Sequence, residues 1–508
     1  MAAESGREAS RISTGVAGLD VMLGGGFLPG RIYLVDGDAG TGKTTLGLQF
    51  LRAGAAAGGR ALLITLLQTQ SELDAIVASH GWHLDGIEVR ELPEDVRQAV
   101  TTEQTVFEPA EVELSEATDA IRRLVREYNP DLLFIDSLSE LAALVDTGFQ
   151  LKRQILRLKS LLDTLECTTL LSVGPSGGLD ARMLETLVHG VIHLDMQVPP
   201  FGRAQRRLLV SKMRGMPFQD GYHDALLVTG GLEVFARIEA KEPSHPEGKE
   251  IPSGKPEIDA LLGGGLREGT TCVMSGTSGA GKSSLAALYA YSGARRGVKS
   301  AFFCFDERPE TFYRRTAGLG MPVENLVGEG LIEMHQINAG TISSGQFANL
   351  VCTSVEQNNV KIVVIDSISG YFQSMPGQRE LTLHLHELLG YLSSVGVLSI
   401  LVIANHGIFG DMEADIDISY LADTVMVLRH FEVNGEVRRC IAVLKKRYGY
   451  HERTIREIMF DPSGLTVGPP LEEFSGILTG VPRYEGENRL LFDPLAGRDE
   501  GESRGSGR

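Results

Sequence analysis

Residues 13–45 read STGVAGLDVMLGGGFLPGRIYLVDGDAGTGKTT, and residues 252–284 read PSGKPEIDALLGGGLREGTTCVMSGTSGAGKSS. Thr14 corresponds to Ser253, Asp20 to Asp259, Gly24-Gly25-Gly26 to Gly263-Gly264-Gly265 and Lys43 to Lys282, each 239 positions further on. A constant offset over such a length marks a tandem duplication. Each copy runs from an apolar stretch through GxxxxGK[ST] into an amphipathic stretch, which reads as strand, phosphate-binding loop and helix. The first loop is Gly37, Asp38, Ala39, Gly40, Thr41, Gly42, Lys43 and Thr44, followed by Thr45; the second is Gly276, Thr277, Ser278, Gly279, Ala280, Gly281, Lys282 and Ser283, followed by Ser284. Glycines allow the tight turn that aims successive N–H groups into one concavity, and the helix amino terminus adds positive potential there. On this reading Lys43 and Lys282 neutralise the β- and γ-phosphates of a nucleotide, and Thr44 and Ser283 offer a hydroxyl to Mg²⁺.

Outward from the loops, each half alternates apolar runs with amphipathic stretches. RIYLVDG, ALLITLL, LLFID, TTLLSVG and VIHLDM in the first half, and TCVMSG, SAFFCFDE, KIVVIDS and SILVIAN in the second, read as buried parallel strands. KTTLGLQFLRAGAAAG and QLKRQILRLKSLLDTLE read as helices, with Leu151, Ile155, Leu158 and Leu162 at helical spacing. Strand and helix in alternation imply an α/β fold, each half a mostly parallel sheet flanked by helices. The halves stay in step: DLLFIDSLSE from Asp131 answers KIVVIDSISG from Lys361, and SKMRG from Ser211 answers LKKRYG from Leu444. The expected division is a tail at 1–12, a first domain at 13–238, a linker rich in Pro, Gly and charge at 239–251, a second domain at 252–484 and a polar, glycine-rich tail at 485–508.

The partner of a phosphate loop is an acid ending a buried strand. Asp136 and Asp366 hold that place, and each is expected in the Mg²⁺ shell. Hydrolysis needs in addition a group that orients or deprotonates the attacking water. The strand after the loop helix ends in Asp306-Glu307 in the second half, whereas the first has Leu67-Gln68 and no further carboxylate until Glu72. The expectation is therefore of unequal halves, the second catalytic through Asp306, Glu307 and Lys282, the first mainly binding.

Composition bounds the rest. Of 508 residues, 43% are hydrophobic and 22% charged, as in soluble globular proteins. The apolar runs are far shorter than a membrane span, and MAAESGREAS lacks the apolar core of a signal peptide, so a cytoplasmic protein with no membrane partner is expected. A formal net charge of −18 argues against sequence-independent nucleic-acid binding. The five cysteines are scattered without a CxxC or a close Cys/His cluster, which argues against zinc and disulfides.

These residues resemble the KaiC family of double-domain RecA-type ATPases over nearly the whole chain, from Ile12 to Arg483. The likeness rests on the lead-in from Thr14 to Gly26, both loops, ASHGW from Ala78, both IDS segments, KMRG from Lys212, RTIREIMFDPSG from Arg453 and FSGILTGVPR from Phe474. It implies two tandem RecA-like P-loop NTPase domains and a homohexamer with ATP at subunit interfaces. It implies that Lys212, Arg214, Lys445 and Arg447 reach the neighbouring subunit's nucleotide. A carboxylate pair is implied in each domain, and the first-domain pair is missing here. The family's autokinase acceptor pair falls on Ser419-Tyr420, which keeps Ser419 as an acceptor hydroxyl. Two other readings stay open: a nucleotide-responsive scaffold that binds signalling proteins, and a DNA-associated ATPase of RecA or RadA type, against which the acidic balance weighs.

Overall fold

The structure is a computed structural model. It describes residues 11–66, 68–92, 110–143, 148–174, 181–198, 203–239, 248–338, 340–374, 378–405, 418, 420–433, 435–462, 464–478 and 483–484. The chain divides into two compact units, Met1–Glu239 with Gly340–Cys352, and Ala240–Ala339 with Thr353–Arg508.

The first unit is built on nine strands: β1 (Ile32–Gly37), β2 (Ala61–Thr65), β3 (Ile87–Glu91), β4 (Leu132–Asp136), β5 (Thr168–Val173), β6 (Gly190–Gln197), β7 (Gln205–Met213), β8 (Tyr222–Val228) and β9 (Gly231–Phe235). They lie in the order β3-β2-β4-β5-β1-β6-β7-β8-β9. The strands from β3 to β6 are parallel, and β7, β8 and β9 extend the sheet antiparallel. Every residue of β2, β4 and β5 is buried, because helices cover both faces of a parallel sheet. Each Leu, Ile or Phe so buried contributes about 1.5–3 kcal/mol.

The second unit repeats the plan with β10 (Thr271–Thr277), β11 (Ser300–Cys304), β12 (Ile332–Gln336), β13 (Ile362–Asp366), β14 (Leu398–Asn405), β15 (Thr424–Val433), β16 (Glu436–Lys446), β17 (Arg456–Asp461) and β18 (Gly464–Pro470). The order is β12-β11-β13-β14-β10-β15-β16-β17-β18, that of the first sheet strand for strand. Two tandem RecA-like domains are thus present. In both, the phosphate loop leaves the carboxyl end of a strand inside the sheet, where α/β proteins place their ligands. Glu250–Ile251, inside the expected linker, pairs antiparallel with Leu266–Arg267. The expected carboxyl-terminal tail lies outside the described residues. None of the five cysteines forms a disulfide, and among the described residues no helix is long and apolar enough to cross a membrane.

Candidate nucleotide sites

The lead-in motif closes a small polar ring. Thr14 donates through its main-chain N to Asp20 Oδ1 at 2.8 Å, and Ser253 does the same to Asp259 at 2.7 Å. The Asp in each copy therefore ties down the turn ahead of the sheet.

Helices Lys43–Ala56 and Lys282–Ala294 begin at the loops. Their N-cap residues, Gly42 and Gly281, have φ of 111° and 103°, left-handed values that disfavour a side chain. No side chain caps either helix, so the first-turn N–H groups keep their capacity for an anion. Lys43 Nζ donates to the carbonyls of Gly37 and Asp38 at 2.7 and 2.9 Å, and Lys282 Nζ to that of Thr277 at 2.7 Å. Lys282 is 6% exposed, and its burial lowers its pKa to about 8, with Asp366 opposing the shift. Burial likewise lowers that of Lys43, against Asp136, Asp36 and Asp38. Each ammonium is thus partly stripped of water, a cost that a triphosphate would offset.

The strand-end aspartates meet the loop hydroxyls. Thr44 Oγ1 donates to Asp136 Oδ2 at 2.5 Å, and Ser172 donates to the other oxygen. Ser283 hydrogen-bonds Asp366; burial raises the Asp366 pKa above its ordinary value, and that bond opposes the rise. In both copies the peptide bond after the aspartate is cis. A hydroxyl beside a buried carboxylate is a pair of hard oxygen donors, and it fits Mg²⁺, which takes one or two protein ligands together with phosphates and water. Among the described residues no group of three or more His, Cys, Asp or Glu side chains could hold a metal ion.

The strand ends after the loop helices differ. In the second unit Asp306 Oδ2 accepts from Ser367 Oγ at 2.6 Å. Glu307 is held by Arg315 through two bonds, 3.1 Å from Nε and 2.7 Å from Nη2, and Arg315 Nη1 also donates to Ser284 Oγ at 2.7 Å. In the first unit the Gln68 carbonyl accepts from Thr65 Oγ1 at 2.9 Å. Thr45, the counterpart of Ser284, lies 3.4 Å from His80 Nε2. Glu72 serves as a capping-box residue: its carboxylate accepts from Thr69 N at 2.9 Å, and its own N–H reaches Thr69 Oγ1 at 3.4 Å. The half-buried Glu140 accepts from the Ser137 hydroxyl, and burial raises its pKa above the ordinary value.

Three of the basic residues at the ends of β7 and β16 bond within their own unit. Lys212 donates to the Glu185 carbonyl and Arg214 to that of Thr186 at 3.3 Å. Arg447 donates to the Tyr420 carbonyl at 3.0 Å and pairs with Asp423 at 3.4 Å. Lys445 sits beside it, half-buried. Ser419 lies outside the described residues.

Sequence reasoning missed two features. Arg206 Nη2 and Arg439 Nε donate to the loop carbonyls of Gly40 and Gly279 at 3.2 and 3.1 Å; the signal was an arginine six residues before Lys212 and before Lys445. Arg315 is the other, and nothing local in the sequence points from the helix Pro309–Gly318 back to Glu307.

The family model described as "ATPase: KaiC" matches residues 12–239 and 251–472. A circadian clock protein KaiC3 of Synechocystis sp. (strain ATCC 27184 / PCC 6803 / Kazusa) is 25% identical over 494 residues, covering 95% of this chain and 97% of its own length. A circadian clock oscillator protein KaiC of Parasynechococcus marenigrum (strain WH8102) is 23% identical over 484 residues, covering 94% and 93%. Another, of Thermostichus vulcanus, is 23% identical over 486 residues, covering 94% and 93%.

Proposed function

The chain belongs to the KaiC ATPase family, and from that premise we propose that it is a Mg²⁺-dependent ATPase whose second unit carries most of the turnover while the first mainly holds nucleotide. The observation that carries this reading is the twinned site: in each unit the loop lysine is held on a carbonyl of its own loop, and the loop hydroxyl meets the aspartate that ends a parallel strand of the same sheet. Thr44 with Asp136, and Ser283 with Asp366, would hold the metal ion. The chemistry that ion supplies is charge neutralisation across the β- and γ-phosphates. In the second unit Lys282 neutralises the transferred phosphoryl group, and Asp306 or Glu307 takes the proton of the attacking water. The unit also carries serine/threonine autokinase activity toward Ser419, on the family likeness. ATP sits at the interfaces of a homohexamer, where Lys212, Arg214 and Arg447 would exchange their contacts within their own unit for the neighbour's nucleotide and Lys445 would join them, and the protein is cytoplasmic and does not bind nucleic acid.

A second reading, a nucleotide-responsive scaffold for signalling proteins with negligible chemistry, draws support from one contact: both oxygens of Glu307 are engaged by Arg315. Turnover separates the two. Lys282→Ala should cut phosphate release by on the order of tenfold or more, and Lys43→Ala should chiefly empty the first site and weaken assembly. Wild-type protein that retains ATP unhydrolysed over many hours would favour the scaffold. Mass spectrometry after incubation with ATP tests the acceptor: phosphate that persists in Ser419→Ala lies elsewhere.

A further inference from the structure

We propose that Glu140 is the general base of the first nucleotide site, supplying from the helix after β4 the carboxylate that Asp306 supplies from the end of β11 in the second. This rests on the reading of both loops as ATP sites. It gives the first unit a slow hydrolysis of its own.

The register of the two copies carries the argument. Leu66 N donates to the Asp136 carbonyl at 2.9 Å, and Phe305 N to the Asp366 carbonyl at 2.7 Å. Leu66 therefore corresponds to Phe305, Leu67 to Asp306 and Gln68 to Glu307. By the same register Ser137 corresponds to Ser367, and Glu140 to Gly370. In the second unit the Ser367 hydroxyl donates to Asp306. A methyl group on Gly370 would lie 2.6 Å from Phe305 Cβ and 2.9 Å from Asp306 Oδ1, so Asp306, together with Phe305, takes up the space that a side chain at 370 would need. The first copy has the acid at 140 and an apolar residue at 67. There the hydroxyl of Ser137 donates to Glu140. The same serine serves a carboxylate in both units; the carboxylate has moved from the strand end to the helix.

Ser137-Leu-Ser-Glu140 also has the spacing of a capping box. In the capping box at Thr69 the glutamate accepts from both the main-chain N–H and the hydroxyl of the cap residue. At Glu140 the bond comes from the Ser137 hydroxyl. In the proposed step a water oxygen bonds to the γ-phosphorus as the β–γ bridging P–O bond breaks. ADP leaves with the electron pair and the water proton passes to Glu140, which returns it to solvent.

The test uses the full chain with the second site silenced by Lys282→Ala, with Mg²⁺ and ATP as the probe. This variant should keep slow phosphate release, and adding Glu140→Gln should lower that release by about 100-fold, with adenine nucleotide bound at the first loop unchanged. Glutamine serves a capping box as well as glutamate, so a purely structural role predicts no loss. Unchanged release in Glu140→Gln overturns the proposal, as does a Lys282→Ala protein that binds nucleotide at the first loop but releases no phosphate. Absence of nucleotide from the first loop overturns instead the reading on which the proposal rests. In a Lys43→Ala background, Asp306→Leu should lower release from the second site, and adding Gly370→Glu should recover at least tenfold of it; a folded double variant without recovery counts against the exchange.

Discussion

At the edge of the central strand the two copies satisfy the same main-chain donor with different side chains. Ile32 N donates to His189 Nδ1 at 3.1 Å, and Thr271 N to Asp423 Oδ2 at 3.0 Å. Only a His189 unprotonated at Nδ1 can accept this bond. Burial, reinforced by Lys159 and Arg31, lowers its pKa from 6.5 to about 4. The sign follows from linkage. Between pH 6.5 and 4 the unfolded chain binds a proton that the folded chain refuses, so stability present above pH 6.5 is lost as pH falls toward 4. Discounted for partial exposure, the loss is about 1–3 kcal/mol. His189→Asn keeps a neutral acceptor, so it should flatten the acid limb of the first unit's stability between pH 7 and 4.5 while costing less than about 1 kcal/mol at pH 7.5. Thermal melts at the two pH values check this, and parallel acid limbs in variant and wild type would exclude His189 as the titrating group.

The loop helices show how an element is matched to its strand. Gly47 faces Phe134 of β4, and a methyl group on Gly47 would lie 2.1 Å from a ring carbon. The counterparts in the second unit are Ala286 and Val364, both fully buried. A small residue under a large ring in one copy becomes a larger residue under a smaller one in the other, which keeps the volume between helix and strand filled. Gly47→Ala should destabilise by about 1–3 kcal/mol despite the better helix propensity of alanine, and Gly47→Ala with Phe134→Val should recover most of it. Chemical denaturation of the two variants decides; additive losses would refute the pairing. At this scale the sequence was legible where patterns are continuous. The apolar runs of β1, β2, β4, β5 and their counterparts read directly as parallel strands, and both phosphate loops declared themselves by spacing. The antiparallel strand after β6, Gln205–Met213, mixes half-buried and buried residues and so lacked a continuous apolar signal, whereas the one after β15 carries a buried run from Cys440 to Val443 that sequence reading passed over. Asp136 and Asp366 could be read from the strand ends they terminate. Glu140 could not, because its counterpart in the other copy is a glycine and its chemical equivalent stands on a different element.

For the whole molecule, the surface at the end of β16 bears on assembly. Leu444, Tyr448 and Tyr450 are 54%, 51% and 74% exposed and flank Lys445 and Arg447. In the proposed hexamer a second copy of this chain would cover these apolar side chains and bring the basic ones among them to its own nucleotide. Among the described residues, the Arg447 side chain holds a main-chain carbonyl and a half-exposed ion pair with Asp423, contacts weak enough to exchange for a neighbour's phosphate. Leu444→Glu should therefore leave the melting temperature of the separate protomer within about 1–2 °C of wild type, since its side chain already faces water, yet reduce the mass measured with Mg²⁺ and ATP from six chains toward one. Arg447→Ala should keep the mass and lower phosphate release, by on the order of tenfold or more if it stabilises the transferring phosphoryl group. Native mass and turnover measured on the same samples distinguish these effects. A wild-type chain that remains monomeric with both loops filled would remove the hexamer, and with it any role for Arg447 at a neighbouring nucleotide, while leaving the chemistry within each unit to be judged on its own residues.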